Sequence, residues 1–308
     1  MSSQYPDVAH IYQNHHLDNS RWRYFKPRKG DIVIATSYKT GTTWMQMICI
    51  HLVHHGGEIP LRSEVSPWLD MRMESIENVI ESLEAQSFQR VIKTHLPLDG
   101  LPYHEELKYI VVCRDGRDVF MSLWNHYDNY TDEFLKQINS VPGRVGPPLP
   151  KSHGDIHRFW EEWITTGWFD WESEGYPFWS HLRHTQTWWA FRELPNILFV
   201  HYSDLLSDLP AEIARIAAFC GIERNDEEID AIASQVTFSN MKANADAILP
   251  GMDEAFHGGG KTFIHKGTNG RWRGVLTDQD LARYDEAVQR ELTPECANWL
   301  ERGNKVGS

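Results

Sequence analysis

Basic and hydroxyl side chains recur in this sequence where apolar segments break, which is where a bound anion would need them. The first group is Lys39-Thr40-Gly41-Thr42-Thr43-Trp44, which follows the apolar run Asp31 to Thr36 and opens a long apolar segment beginning near Thr42. Gly41 lets backbone approach an anion, the threonines add hydroxyl donors, and Lys39 adds a point charge. The second group is Lys93 with His95, two positions apart and so on one side of an extended chain. An imidazole is the usual general base for a hydroxyl proton; the competing reading is a histidine capping the turn before Pro97. Arg114 with Ser122 repeats the arrangement after the apolar run Lys108 to Cys113, or else belongs to a helix turn balanced by Asp115, Arg117 and Asp118. A fourth group, His265-Lys266-Gly267 through Arg271, is a glycine-punctuated basic turn. Two anion-type junctions in one sheet suggest a ligand with two separated charged groups.

These residues need a scaffold that gathers them. Asp31 to Thr36 predicts a strand and Thr42 onward a helix, a P-loop-like strand, loop and helix whose free N–H groups and dipole favour an anion. The frame is not a Walker A loop, because Lys39 precedes a single glycine instead of following a second one. Further strands are expected over Arg90 to Pro97, Lys108 to Cys113 and Asn196 to His201. Helices are expected over Ser75 to Ala85, Val119 to Tyr127, Trp179 to Arg192, Ala211 to Cys220, Asn225 to Gln235 and from Thr277 to about Leu292. That alternation predicts an α/β three-layer sandwich with a central parallel sheet, in which ligands collect at the carboxyl ends of the strands. One domain over 1–308 is expected, with 1–30 a surface arm packed by its aromatics and 140–190 a lid and acceptor-pocket region. Seven of the 13 tryptophans fall at Trp160, Trp163, Trp168, Trp171, Trp179, Trp188 and Trp189, and two or three are expected in an acceptor pocket.

Composition narrows the partners. With 30 Lys+Arg against 43 Asp+Glu the formal charge is −13, which argues against a nucleic-acid partner and requires any anion site to be locally basic. Cys49, Cys113, Cys220 and Cys296 are scattered, without CxxC spacing, and read as thiols of a reducing compartment. No run approaches the length of a membrane span, so a cytoplasmic protein is expected. The 16 histidines form no ligand pattern, and no metal is expected.

The ordered set resembles the soluble sulfotransferases that use 3′-phosphoadenosine 5′-phosphosulfate (PAPS), a bacterial-type member in particular. Thr36 to Trp44 is similar to the family's TYPKSGTTW-like loop, Lys93 to Pro97 to its KTHLP segment, and Arg114 with Ser122 to its second signature. Tyr202, Phe238 to Asn244 and His265 to Trp272 match later segments. The resemblance implies that Lys39, Thr40, Gly41, Thr42 and Thr43 hold the 5′-phosphosulfate, with Trp44 stacking on adenine. Tyr202 and Phe238 would lie near the base, and Arg114, Ser122, His265, Lys266 and Gly267 would hold the 3′-phosphate. It implies His95 as general base, Lys39 and Lys93 as cations at the transferring group, a small hydroxyl acceptor, 3′-phosphoadenosine 5′-phosphate (PAP) as product and no metal. Departures are Tyr38 for proline, Thr40 for serine, His265 for arginine, which makes that contact pH dependent, and Arg271 for the acid before Trp272. No dimer motif is found near the C-terminus, which leaves the oligomeric state open. Two alternatives are a nucleotide kinase or NTPase-like enzyme on the same sheet, and a non-catalytic nucleotide-binding protein.

Overall fold

The computed structural model describes residues 5–304. Four short strands, β1 (Ile32–Ala35), β2 (Val91–Thr94), β3 (Lys108–Cys113) and β4 (Ile197–His201), form a sheet in the order β2-β1-β3-β4. All three pairings are parallel, with Ala35 opposite Thr94 and Val111, and Cys113 opposite His201. Every strand therefore ends on the same edge. Thr36 emerges beside His95, and Arg114 beside Tyr202, so a parallel register alone gathers groups far apart in sequence.

Alternating side chains divide the sheet's faces into two cores. Val33, Ala35, Tyr109 and Val111 pack into one with the tryptophan-rich helices Ile156–Thr165 and His181–Trp189. Ile32, Ile34, Ile110 and Val112 pack into the other with the helices Thr42–His54, Leu209–Cys220 and Asp226–Gln235. This is the three-layer α/β arrangement expected. Gly221 ends its helix at φ +70°, and Thr277 with Asp280 forms a capping box for Asp278–Glu291.

Three local expectations are corrected. The segment expected as a surface arm is in large part buried: Tyr12, Asn14, His15, His16, Leu17 and Trp22 are all inside. His15 reaches the Pro177 carbonyl through Nε2 at 2.7 Å, and Asn19 donates to the carbonyls of His10 and Gly100. The helix expected from Trp179 starts at His181, because the Ser180 side chain caps it by accepting from the Arg183 amide. It ends at Trp189, short of the expected Arg192. Trp160, Trp163 and Trp188 fill the first core, as helical packing of part of the tryptophan run requires. Among the described residues no helix is long and apolar enough to cross a membrane.

β2 is pinned to β1 by a buried ion pair. Arg90, 0% exposed, donates to Asp31 from Nε at 3.0 Å and from Nη2 at 2.5 Å, and to the Lys26 carbonyl at 2.7 Å. Arg90→Met leaves the Asp31 carboxylate buried and unpaired, a loss expected at about 3–5 kcal/mol. Lys151→Ala, which breaks an exposed pair with Asp132, is expected to leave stability nearly unchanged. Urea unfolding of both variants measures the contrast; equal losses would remove the assigned role of Arg90.

Candidate active site

At the carboxyl edge of the sheet lies a cavity of about 400 Å³. Its wall includes Lys39, Gly41, Thr42, Thr43, Trp44, Lys93, His95, Arg114, Ser122, Tyr202, Phe238, His265, Lys266 and Gly267. Thr40 is the one proposed site residue missing from that wall: it is 1% exposed, and its Oγ1 finds no partner among the described residues. The six Lys and Arg side chains on the wall are Lys39, Arg62, Lys93, Arg114, Lys266 and Arg271, and no Asp or Glu lines it. For a chain of charge −13, this is the local basic site that an anionic ligand requires.

The cradle follows from its backbone. Gly41, at φ +115°, is the N-cap of the helix Thr42–His54, and no side chain caps the free amides. A Cβ at Gly41 would come within 3.0 Å of the Tyr202 ring, so this position stays open only as glycine. Lys39 also has positive φ, +52°. Its Nζ donates to His126 Nδ1 at 3.2 Å and sits 4.3 Å from the Phe263 ring centroid. Burial, then the neighbouring Arg114, pulls the Lys39 pKa down to about 7. Tyr38, in the family's proline position, packs on Phe178 and Trp179 and accepts from Trp163 Nε1 at 2.8 Å. The loop is thus anchored from its core side.

β1 fixes the orientation of the His95 ring. Its Nδ1 lies 2.7 Å from the Thr36 carbonyl and 2.8 Å from Thr36 Oγ1, which itself bonds Thr42 Oγ1 at 2.8 Å. A carbonyl only accepts, so Nδ1 carries the proton and Nε2 is left as the basic nitrogen. Burial, then Lys93, holds His95 well below the ordinary histidine pKa, so the ring is neutral. Lys93 lies 4.0 Å from the Trp68 ring centroid. Burial, then Arg62, pulls its pKa down to about 7 as well. Asp70 orders this corner: it accepts from Trp68 Nε1 at 2.7 Å and from the His95 amide at 3.3 Å.

The other end is built around Arg114, whose guanidinium lies 4.2 Å from the Tyr202 ring centroid. Tyr202, at the start of the helix Tyr202–Ser207, donates to the Gly267 carbonyl at 3.1 Å and meets Trp44 edge-on at 5.4 Å. Trp44 is fixed through Nε1 to the Val236 carbonyl at 2.7 Å. Gly267, at φ +67°, lies so close to Phe238 that a Cβ there would collide with the ring. His265 is held down to about 4, first by burial and then by Arg271, Lys266, Lys242 and Lys39.

Several wall residues were not anticipated: His16, Arg62, Trp68, Met71, His126, Tyr130, Phe134, Met252, Phe256 and Phe263. His126 stands four positions after Ser122 on one helix, a spacing that places both on one face, and it could have been found that way. Of the seven tryptophans between Trp160 and Trp189 only Trp179 lines the cavity, with Phe178 beside it. From 140–154 no described residue lines it, because that loop is tied back by Asn139 to Leu149 and by Arg72 to Pro142.

A family model described as "Sulfotransferase domain" matches residues 29–295. A glycolipid sulfotransferase of Mycobacterium bovis is 30% identical over 99% of this chain and 98% of its own. Sulfotransferase 1E1 of Homo sapiens is 26% identical over 87% of this chain and 85% of its own. Among solved structures, mouse sulfotransferase SULT7A1 complexed with PAP superposes with TM-score 0.68 at 22% identity, covering 92% of each chain. Retinol dehydratase in complex with retinol and PAP follows at TM-score 0.67 and 23% identity, over 90% of this chain and 87% of its own. With a carboxylate-free basic cavity at a parallel sheet edge and a family match over most of its length, the chain belongs to the sulfotransferase domain family.

Proposed function

We propose that the chain acts as one sulfotransferase domain, carrying a sulfuryl group from PAPS to the hydroxyl of a small, largely hydrophobic phenol or alcohol. The observation that carries this reading is the junction itself. A neutral His95 with Nε2 as its basic nitrogen shares one cavity with Lys39, Lys93 and an uncapped helix start, and no carboxylate competes with an anion. The fit to the donor is further supported by the two glycine positions where a Cβ would meet Tyr202 or Phe238.

The donor supplies an activated sulfuryl group on a phosphate leaving oxygen. His95 Nε2 takes the acceptor's hydroxyl proton as that oxygen forms its bond to sulfur. Lys39 and the free amides at Thr42 and Thr43 face the charge that gathers on the leaving oxygen as its bond to sulfur breaks. Lys93, beside His95 on β2, neutralises charge on the group in transfer. Positioning and electrostatics suffice for this chemistry. Trp68, Met71, Phe134, Phe178, Met252 and Phe256 supply the apolar wall for the acceptor. Four free buried cysteines support a reducing, cytoplasmic setting.

Thermal shift with nucleotides checks the donor. PAP at about 100 times its dissociation constant is expected to add about 2.7 kcal/mol of stability, and ATP at the same concentration far less. Equal shifts would favour a nucleotide kinase or NTPase-like site instead. Transfer of labelled sulfate to phenols, sterols, hydrophobic alcohols and glycolipids then identifies the acceptor; no transfer to any of them would favour a non-catalytic binding protein.

A further inference from the structure

At the end of the cavity away from His95, the turn 267–271 brings two guanidinium groups together, and they are not equivalent. Arg114 is 5% exposed and its fork already holds protein. Nε donates to Asn269 Oδ1 at 3.0 Å, Nη2 to the Thr268 carbonyl at 2.9 Å and Nη1 to the Lys39 carbonyl at 3.5 Å. Three of the five N–H groups of an arginine are thereby engaged, leaving two for a ligand. Arg271 lines the same cavity, yet its side chain makes no hydrogen bond or ion pair among the described residues.

The backbone of Arg271 is nevertheless fixed. Asp118 accepts from the Gly270 amide at 2.7 Å and from the Arg271 amide, so the nearest carboxylate holds the turn's backbone. Burial and the like charge of Arg114 both disfavour the Arg271 cation, although Asp118 partly offsets them. A half-buried guanidinium, oriented by its backbone and crowded by another, is a built site for a doubly charged anion. His265, on the same turn, can offer single N–H contacts but not the planar fork of a guanidinium.

We propose that Arg271, not His265, is the arginine that clamps the 3′-phosphate of the donor, with Arg114 as the scaffold that positions the turn and adds its two remaining N–H groups. Selectivity for 3′-phosphorylated over plain adenine nucleotides then resides at Arg271. A planar fork suits this task, since it grips two phosphate oxygens at once. The inference rests on the PAPS reading above.

Calorimetric titration with PAP and with 5′-AMP, which lacks the 3′-phosphate, separates the two. The unaltered protein is expected to prefer PAP by about a hundredfold or more, and Arg271→Ala to lose at least about tenfold in PAP affinity, with 5′-AMP affinity held within about twofold. His265→Ala should leave the PAP to 5′-AMP ratio in place. If Arg271→Ala binds neither nucleotide, Arg271→Gln, which keeps the stem and removes the charge, decides by the same ratio. An unaltered protein without preference for PAP would overturn the donor reading along with this one. A preference that survives at Arg271→Gln or Arg271→Ala, or that disappears at His265→Ala, overturns the Arg271 assignment and leaves the donor reading standing.

Discussion

His95→Ala is expected to lower turnover by about 10²–10⁴-fold, the usual contribution of a positioned general base. PAP should still bind within about twofold of the unaltered protein, because His95 touches the donor loop only through Thr36. The ring is neutral and its Nδ1 proton is held by a carbonyl, so Nε2 accepts a proton without first losing one. His95→Gln keeps a hydrogen-bonding group but not the base and should be nearly as slow. Single-turnover transfer together with PAP titration checks both. A loss of equal size in turnover and in PAP affinity would assign His95 to structure around Thr36 and Thr42, not to proton transfer.

Lys39→Ala is expected to cost about 10²–10³-fold in turnover, the magnitude seen when one preorganised group is removed from developing oxyanion charge. A pH signature distinguishes this lysine from an ordinary one. Burial lowers its pKa from 10.5 to about 7, so the free protein loses the charge as pH rises through 7. The anionic donor favours the protonated form. Binding therefore takes up protons above pH 7, and kcat/KM for the donor falls on that side; below pH 7 the charge is already present and no uptake is expected. Calorimetry at pH 8 in buffers of different ionisation enthalpy measures the uptake. Lys93, also lowered to about 7, contributes in the same direction, so Lys39→Ala should reduce the uptake without abolishing it. Uptake unchanged by the substitution would remove Lys39 from the anion site.

The junctions were legible in the sequence because each is local. A short continuous apolar run, then a glycine and a cluster of hydroxyl or basic residues, marks where a buried strand ends and what stands at its carboxyl edge, as at Thr36 to Thr43 and at Cys113 to Arg114. Burial of polar residues was not legible. Asn14, His15 and His16 look like a solvated arm until Pro177, Phe178 and Trp179 are placed against them, and those partners lie more than a hundred positions away. The tryptophans fail for a related reason: helical spacing marks an apolar face, but not whether a core or a cavity covers it. The apolar part of the cavity wall draws on four separate stretches, and Arg62 carries no local mark of its place among them.

The sheet order has a consequence for how such a chain can diverge. β1 and β3 are the inner strands, and β2, which carries Lys93 and leads into His95, is one of the two edge strands, with β4 the other. Its outer side is covered by residues 67–69, where the Lys93 amide donates to the Pro67 carbonyl at 2.9 Å and Leu69 donates to the Lys93 carbonyl at 3.2 Å. The same segment supplies Trp68 to the cavity wall. Variation in that flank would remodel the β2 side of the cavity while β1, β3 and β4 keep their register unchanged. One scaffold can thus inherit its donor and change its clientele.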